Sequence, residues 1–196
     1  MPSSEFKAML DLLFMLFFDW RTGILMLLLT IAAISDYRTY RIPNWLVLSG
    51  AAFGVFYNTM LPPSPHDNIL FPLTGMGLGL LLFLPLYLLR AMGAGDVKLL
   101  AMVGAFLGAA DTFYAALASM LAGGILAVLL VLARGTAPRL LQNLSALFRV
   151  SVLDAISGTI PSLHIATDAS AGKLPYGIAI AVGTISYLVL HQLYFL

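Results

Sequence analysis

Apolar runs separated by short polar clusters set the rhythm of this chain. The runs cover 20–36, 43–61, 69–90, 96–110, 112–133 and 174–196. A helix needs about 20 mostly apolar residues to cross a bilayer core, so the pattern predicts six transmembrane helices. The runs 20–36 and 96–110 are short for that task and are expected to reach into their flanks or to sit in thinned bilayer. The fold class this implies is an all-α membrane protein, a polytopic bundle of six transmembrane helices forming a single domain over residues 1–196.

Two further segments are apolar without being long enough to span. Residues 6–18 are interrupted by Asp11, are followed by Asp19-Trp20-Arg21, and lack a small-residue cleavage site. They read as an N-terminal interfacial helix or an extension of the first span. Within 134–173, Leu140, Leu141, Leu144, Leu147, Phe148 and Val152 recur at helical spacing, with Arg139, Gln142, Asn143, Ser145 and Arg149 mostly on other faces. This predicts an amphipathic helix, either on the inner leaflet or against the end of the bundle. The pairs Gly50/Gly54, Gly75/Gly79 and Gly104/Gly108 have the spacing that lets helices approach closely, which is ordinary packing in a polytopic bundle.

Composition agrees with the pattern and removes most other classes. The chain is 61% apolar and only 10% charged, and its mean hydropathy is +0.97. Soluble domains carry about a quarter charged residues. Ten Lys and Arg against nine Asp and Glu leave a net charge of +1, so no field attracts polyanions and no nucleic-acid partner is expected. With no cysteine and three scattered histidines, disulfides, thiolate chemistry and the usual zinc sites are absent; no metal and no cofactor are expected. If the spans alternate, Arg38, Arg41, Arg90, Lys98, Arg134, Arg139, Arg149 and Lys173 share one side, leaving Lys7 and Arg21 on the other. The positive-inside rule makes the first side cytoplasmic and puts both termini outside.

Nine carboxylates are few enough to weigh one by one. Glu5, Asp11, Asp19, Asp67 and Asp111 fall in or near outer connections, and Asp154 and Asp168 in the long cytoplasmic connection, where solvation suffices to explain them. Asp36 and Asp96 instead sit at the cytoplasmic ends of apolar spans. Asp36 opens the cluster Asp36-Tyr37-Arg38-Thr39-Tyr40-Arg41-Ile42-Pro43-Asn44; a surface salt bridge to Arg38 or Arg41 is its plain alternative. Asp96 follows Gly93-Ala94-Gly95, glycines that free the backbone and permit close approach, and simple helix capping is its plain alternative. Together the pair places two carboxylates at one face and one depth. Two such groups can share a proton, one acting as base on water while the other polarises a carbonyl. Because Asp36 faces a helix C-terminus and Asp96 an N-terminus, the macrodipole argument gives the shared proton to Asp36.

At these acids the chain resembles the type IV prepilin peptidases, membrane aspartyl proteases of the Gly-x-Gly-Asp type. The resemblance is carried by Ser35-Asp36-Tyr37-Arg38 with Arg41-Ile42-Pro43-Asn44, by Gly93-Ala94-Gly95-Asp96-Val97-Lys98-Leu99, and by Lys173-Leu174-Pro175-Tyr176-Gly177 before the last span. It implies that Asp36 and Asp96 are the catalytic acids, that they act on the cytoplasmic side of the inner membrane, and that the substrate is a prepilin or pilin-like precursor with a short basic leader. The missing cysteines imply a short, peptidase-only form without the N-methylating region, similar to those of tight-adherence (Flp) pilus systems. Gly93 and Gly95 would shape the loop presenting Asp96. Arg38, Arg41 and Lys98 would meet lipid phosphate, acids or substrate; Pro43 and Asn44 would start the second span. Pro175, Tyr176 and Gly177 would pack by the dyad, unless they are only a helix start with an interfacial Tyr.

Two other classes stay open on the sequence. A proton-coupled transporter would use intramembrane acids as a relay, but would place them near mid-bilayer in two related halves. A non-catalytic pilus-assembly scaffold would not need both acids and both glycines. The sequence leaves the oligomeric state open.

Overall fold

The computed structural model describes residues 20–60, 69–89, 91–133, 135 and 175–194. The segments 6–18 and 136–173, read above as an interfacial and an amphipathic helix, lie outside the described residues. Five α-helices account for nearly all the rest, with no strand among the described residues: α1 (Trp20–Thr39), α2 (Asn44–Met60), α3 (Leu70–Leu88), α4 (Ala94–Ala133) and α5 (Tyr176–Tyr194). Four of them, α1, α3, α4 and α5, are long and apolar enough to cross a membrane. Their outward side chains, among them Leu27, Leu81, Leu88, Leu121 and Leu190, stand exposed, as lipid-facing residues do and as a water-facing surface would not tolerate. This is a membrane protein.

The 40-residue α4 departs most from the expected elements. A straight helix of that length would run about 60 Å, twice a bilayer core of about 30 Å. It breaks at Gly108, whose φ of 78° and ψ of 178° only glycine adopts readily, giving arms 94–107 and 109–133. The sequence placed this break at Asp111. Instead Asp111 lies inside the second arm, half-buried, accepting a 2.8 Å hydrogen bond from the Tyr187 hydroxyl, so solvation is not its explanation.

The chain divides into two compact units, 1–123 with 175–196, and 124–174. In the first, the arm 94–107 is the centre. From Leu99 to Leu107 every residue is buried, the expected state of a helix that is apolar all round. α3 runs antiparallel to this arm at backbone contact: a Cβ on Gly75 would strike the Gly104 carbonyl, and one on Gly79 would lie 2.7 Å from the Leu100 carbonyl oxygen. α2 runs parallel to it, with Gly54 against Ala105 and Phe106. The second arm up to Gly123 pairs antiparallel with α5, Gly183 lying on Ser119 and Gly123 under Tyr176. The small-residue pairs are thus packing surfaces, except that Gly108 is the break.

A break inside a membrane helix strands the carbonyls of its last turn, and lipid offers no replacement donors. Asn58 of α2, fully buried, donates from Nδ2 to the Ala105 carbonyl at 2.9 Å and the Phe106 carbonyl at 3.3 Å. The Arg21 guanidinium of α1 also bonds the Phe106 carbonyl. A cation suits this negative end of the arm's dipole. Arg21 is therefore an internal helix cap as well as a flanking charge.

Candidate active site

At the opposite end of the central arm, α1, α4 and α5 bring their termini together. α1 ends at Thr39, and Tyr40 follows with φ 51°, its N–H bonded to the Asp36 carbonyl at 2.8 Å. This is the single-bond left-handed helix ending, made here without glycine. Ser35 Oγ and Thr39 Oγ1 both donate to the Arg41 carbonyl, at 2.9 and 3.2 Å, and fold the short link to α2 back onto α1. Pro43 then leads into α2 at Asn44, as expected. The turn leaves Asp36 one helical turn inside α1, 5% exposed.

The Asp36 carboxyl reaches across to the start of α5. Its Oδ2 accepts the Gly177 N–H at 2.7 Å, over 141 residues of chain. Arg38 and Arg41 are exposed and their guanidinium groups have no hydrogen-bond or ion-pair partner among the described residues, so the salt bridge weighed for Asp36 is not formed.

Asp96 is the third residue of α4 and 8% exposed. Its Oδ2 accepts the Gly93 N–H at 2.9 Å, while its own N–H returns to the Gly93 carbonyl at 3.2 Å. This is one arm of a capping box with Asp in place of Glu, the Gly93 carbonyl standing where a capping side chain would accept, so the capping alternative is half right: one oxygen caps the helix. Neither Gly93 nor Gly95 has a positive φ. What they supply is room rather than unusual backbone. A Cβ on Gly95 would press on Ile42 at 3.3 Å, and one on Gly93 on the Asp96 carboxyl at 3.3 Å.

The two acids are near enough for the charge of Asp36 to act on Asp96, and Asp96 in turn acts on Tyr176. Pro175 and Gly177 are buried and Tyr176 half-buried, its ring over Gly123. Lys98 donates to Asn44 Oδ1 at 3.1 Å, tying the starts of α2 and α4 on the exposed side. The structure thus brings Asp36, Asp96, Gly93, Gly95, Pro175, Tyr176 and Gly177 to one place. It sets Asn44 and Lys98 beside it as a strut and leaves Arg38 and Arg41 on the rim. In each carboxyl Oδ1 accepts no hydrogen bond from a described residue, and neither Oδ1 is among the occluded, unpartnered polar atoms. No cluster of three His, Cys, Asp or Glu able to hold a metal ion occurs among the described residues.

The macrodipole basis for giving the shared proton to Asp36 is weaker in the structure than in the sequence. Asp36 faces the C-terminus of its own helix but also accepts a first-turn N–H of α5. The two helix ends oppose one another at Asp36, whereas Asp96 faces an N-terminus alone.

Comparison with curated proteins and with solved structures gives no match. A family model does match, the type IV leader peptidase family, over residues 23–128. The matched stretch contains Asp36, the link to α2, Gly93, Gly95 and Asp96, and stops before Pro175-Tyr176-Gly177. It covers more than half of the chain, and this protein belongs to the type IV leader peptidase family.

Proposed function

We propose that the protein is a membrane aspartyl endopeptidase that removes the short basic leader from a prepilin or pilin-like precursor, using Asp36 and Asp96 to activate water. One observation carries this reading. Two buried carboxyls at one end of the central arm each have one oxygen held by a glycine N–H and the other unbonded to any described residue. Ionisable residues inside a membrane bundle are rare and mark functional sites by default.

The chemistry follows from sharing a proton. Like charges a few ångströms apart do not both ionise cheaply, so one acid is ionised and its partner protonated. The ionised carboxyl takes a proton from water as the water oxygen attacks the scissile carbonyl carbon. The protonated carboxyl gives its proton to the carbonyl oxygen, which becomes a hydroxyl of the tetrahedral intermediate. Collapse reforms the carbonyl and breaks the C–N bond, the amine leaving with the proton first taken from water. The shared proton returns to the dyad.

The proposal includes six spans, α1, α2, α3, the two arms of α4, and α5. At 17 residues, α2 is at the lower limit for a span. Alternation then places the acids beside Arg38, Arg41 and Lys98, and the positive-inside rule makes that face cytoplasmic. Arg21, the described cation at the other end, is engaged in capping the central arm, which weakens it as a counterweight. Both acids lie at helix ends rather than mid-span, which disfavours a transporter's proton relay.

Asp36→Asn and Asp96→Asn, each tested alone on a prepilin precursor in membranes, decide the chemistry. Each should lose processing by about a thousandfold or more. Wild-type processing by either variant would refute the dyad. The natural chain has no cysteine, so a single Arg41→Cys reports topology. An impermeant maleimide should label it in inverted vesicles and not in intact cells.

A further inference from the structure

The two acids are held in matching ways, and one of the holders comes from a distant helix. Asp36 lies near the end of α1, where no free N–H of its own helix is in reach. A buried carboxyl lacking donors is costly. The first turn of α5 has N–H groups to spare, and Pro175 just before it has its φ preset for a helix start. Gly177 points one of those N–H groups at Asp36 Oδ2, 2.7 Å away.

Two demands fall on position 177 at once. Its N–H must reach the carboxyl, and its side chain must be absent. A Cβ there would lie 2.9 Å from both Cβ and Oδ2 of Asp36, closer than real Cβ contacts come. Any other residue must therefore push Asp36 aside. Gly93 does the same for Asp96 Oδ2, at 2.9 Å, from within its own helix start.

We propose that Gly177 is a positioning residue for Asp36, fixing Oδ2 through its amide so that Oδ1 is the oxygen presented to Asp96, water and substrate. The proposal rests on the dyad reading given above. Its consequence is that the dyad is assembled only while the first turn of α5 is docked on α1. The third sequence cluster thus acts on the chemistry through the backbone of its glycine.

Gly177→Ala tests this, with Gly183→Ala as a control in the same helix. A Cβ at Gly183 would overlap the Ser119 backbone, away from both acids. Gly177→Ala should process precursor about a hundredfold more slowly with KM little changed, because small misplacements of a reacting group cost on that order. Its pH–rate profile should be displaced from that of the wild type. Gly183→Ala should lose thermal stability and leave the profile where it was. If the Gly177→Ala profile superimposes on the wild type and its loss only follows stability, the positioning role is refuted while the dyad stands. If Asp36→Asn stays active, the dyad itself fails whatever Gly177→Ala does.

A second measurement needs no Gly177 variant. Tyr176-Gly177 is the only Tyr-Gly pair in the chain, so carbonyl-labelled Tyr with nitrogen-labelled Gly isolates one amide signal. Asp36→Asn should shift that signal. An unshifted signal would show that the amide does not serve Asp36 and would overturn the proposal.

Discussion

The central arm of α4 ends twice in polar groups, and its two ends treat them differently. At Gly108, the stranded carbonyls of Ala105 and Phe106 are met by Asn58 and Arg21, side chains committed to that backbone. At Asp96, and at Asp36 beside it, one oxygen is committed to a glycine N–H and the other is not. Both ends sit in a molecule made almost wholly of apolar side chains. The difference is that donors at one end bond the backbone of the broken helix, whereas each acid at the other has an oxygen that accepts from no described residue. The side chains at the first end serve the fold by bonding its backbone; the free oxygens at the second are what the proposed chemistry would use.

Substitutions at the two ends should therefore separate activity from stability. The largest effects belong to the acids. Asp96→Asn keeps the oxygen that accepts the Gly93 N–H, so it should lose activity by about a thousandfold while melting in detergent close to the wild type. Matching losses of activity and of stability would mean that Asp96 is only a cap. Next comes Gly108→Ala. Its φ of 78° strains any other residue, and a Cβ there would run into the Phe71 ring. A loss of about 2–5 kcal/mol is expected, read from thermal unfolding.

Asn58→Leu should cost less, about 1–3 kcal/mol, because the Ala105 carbonyl loses its side-chain donor in an apolar interior while Arg21 still serves Phe106. It should leave the pH–rate profile of the surviving enzyme unmoved. A moved profile would mean that the two ends are coupled through the arm, and that the division between fold and chemistry is too sharp. Smallest is Tyr187→Phe, which removes the hydroxyl bonded to Asp111 but keeps the ring stacked on Tyr114 at 6.1 Å. Hydrogen bonds between membrane helices are worth about 0.6 kcal/mol on average, and no more than about 2 is expected here.

The sequence revealed the apolar segments well, because a bilayer demands them and little else produces them. It also revealed the two acids, since Asp36 and Asp96 stand out against so apolar a background. It did not reveal where α4 breaks. Gly108 belongs to a run of small residues, and only its contacts with Phe71 and α3 distinguish a break from a packing glycine. Asn58 carried a signal that could have been used, because an amide near the end of an otherwise apolar run needs a partner. The Gly177 amide carried none. A backbone N–H has no letter of its own, and this one finds its acceptor 141 residues away. That unseen contact also weakens the macrodipole argument for the shared proton.

The central claim is that Asp36 and Asp96 act as one unit on one water. A double-mutant cycle tests it most directly, measuring precursor processing by wild type, Asp36→Asn, Asp96→Asn and the pair, each normalised to folded protein. Groups that act as a unit are strongly non-additive, so the double variant should be no slower than the slower single one. Two partial losses that multiply in the double variant would show two independent contributions and contradict a shared dyad.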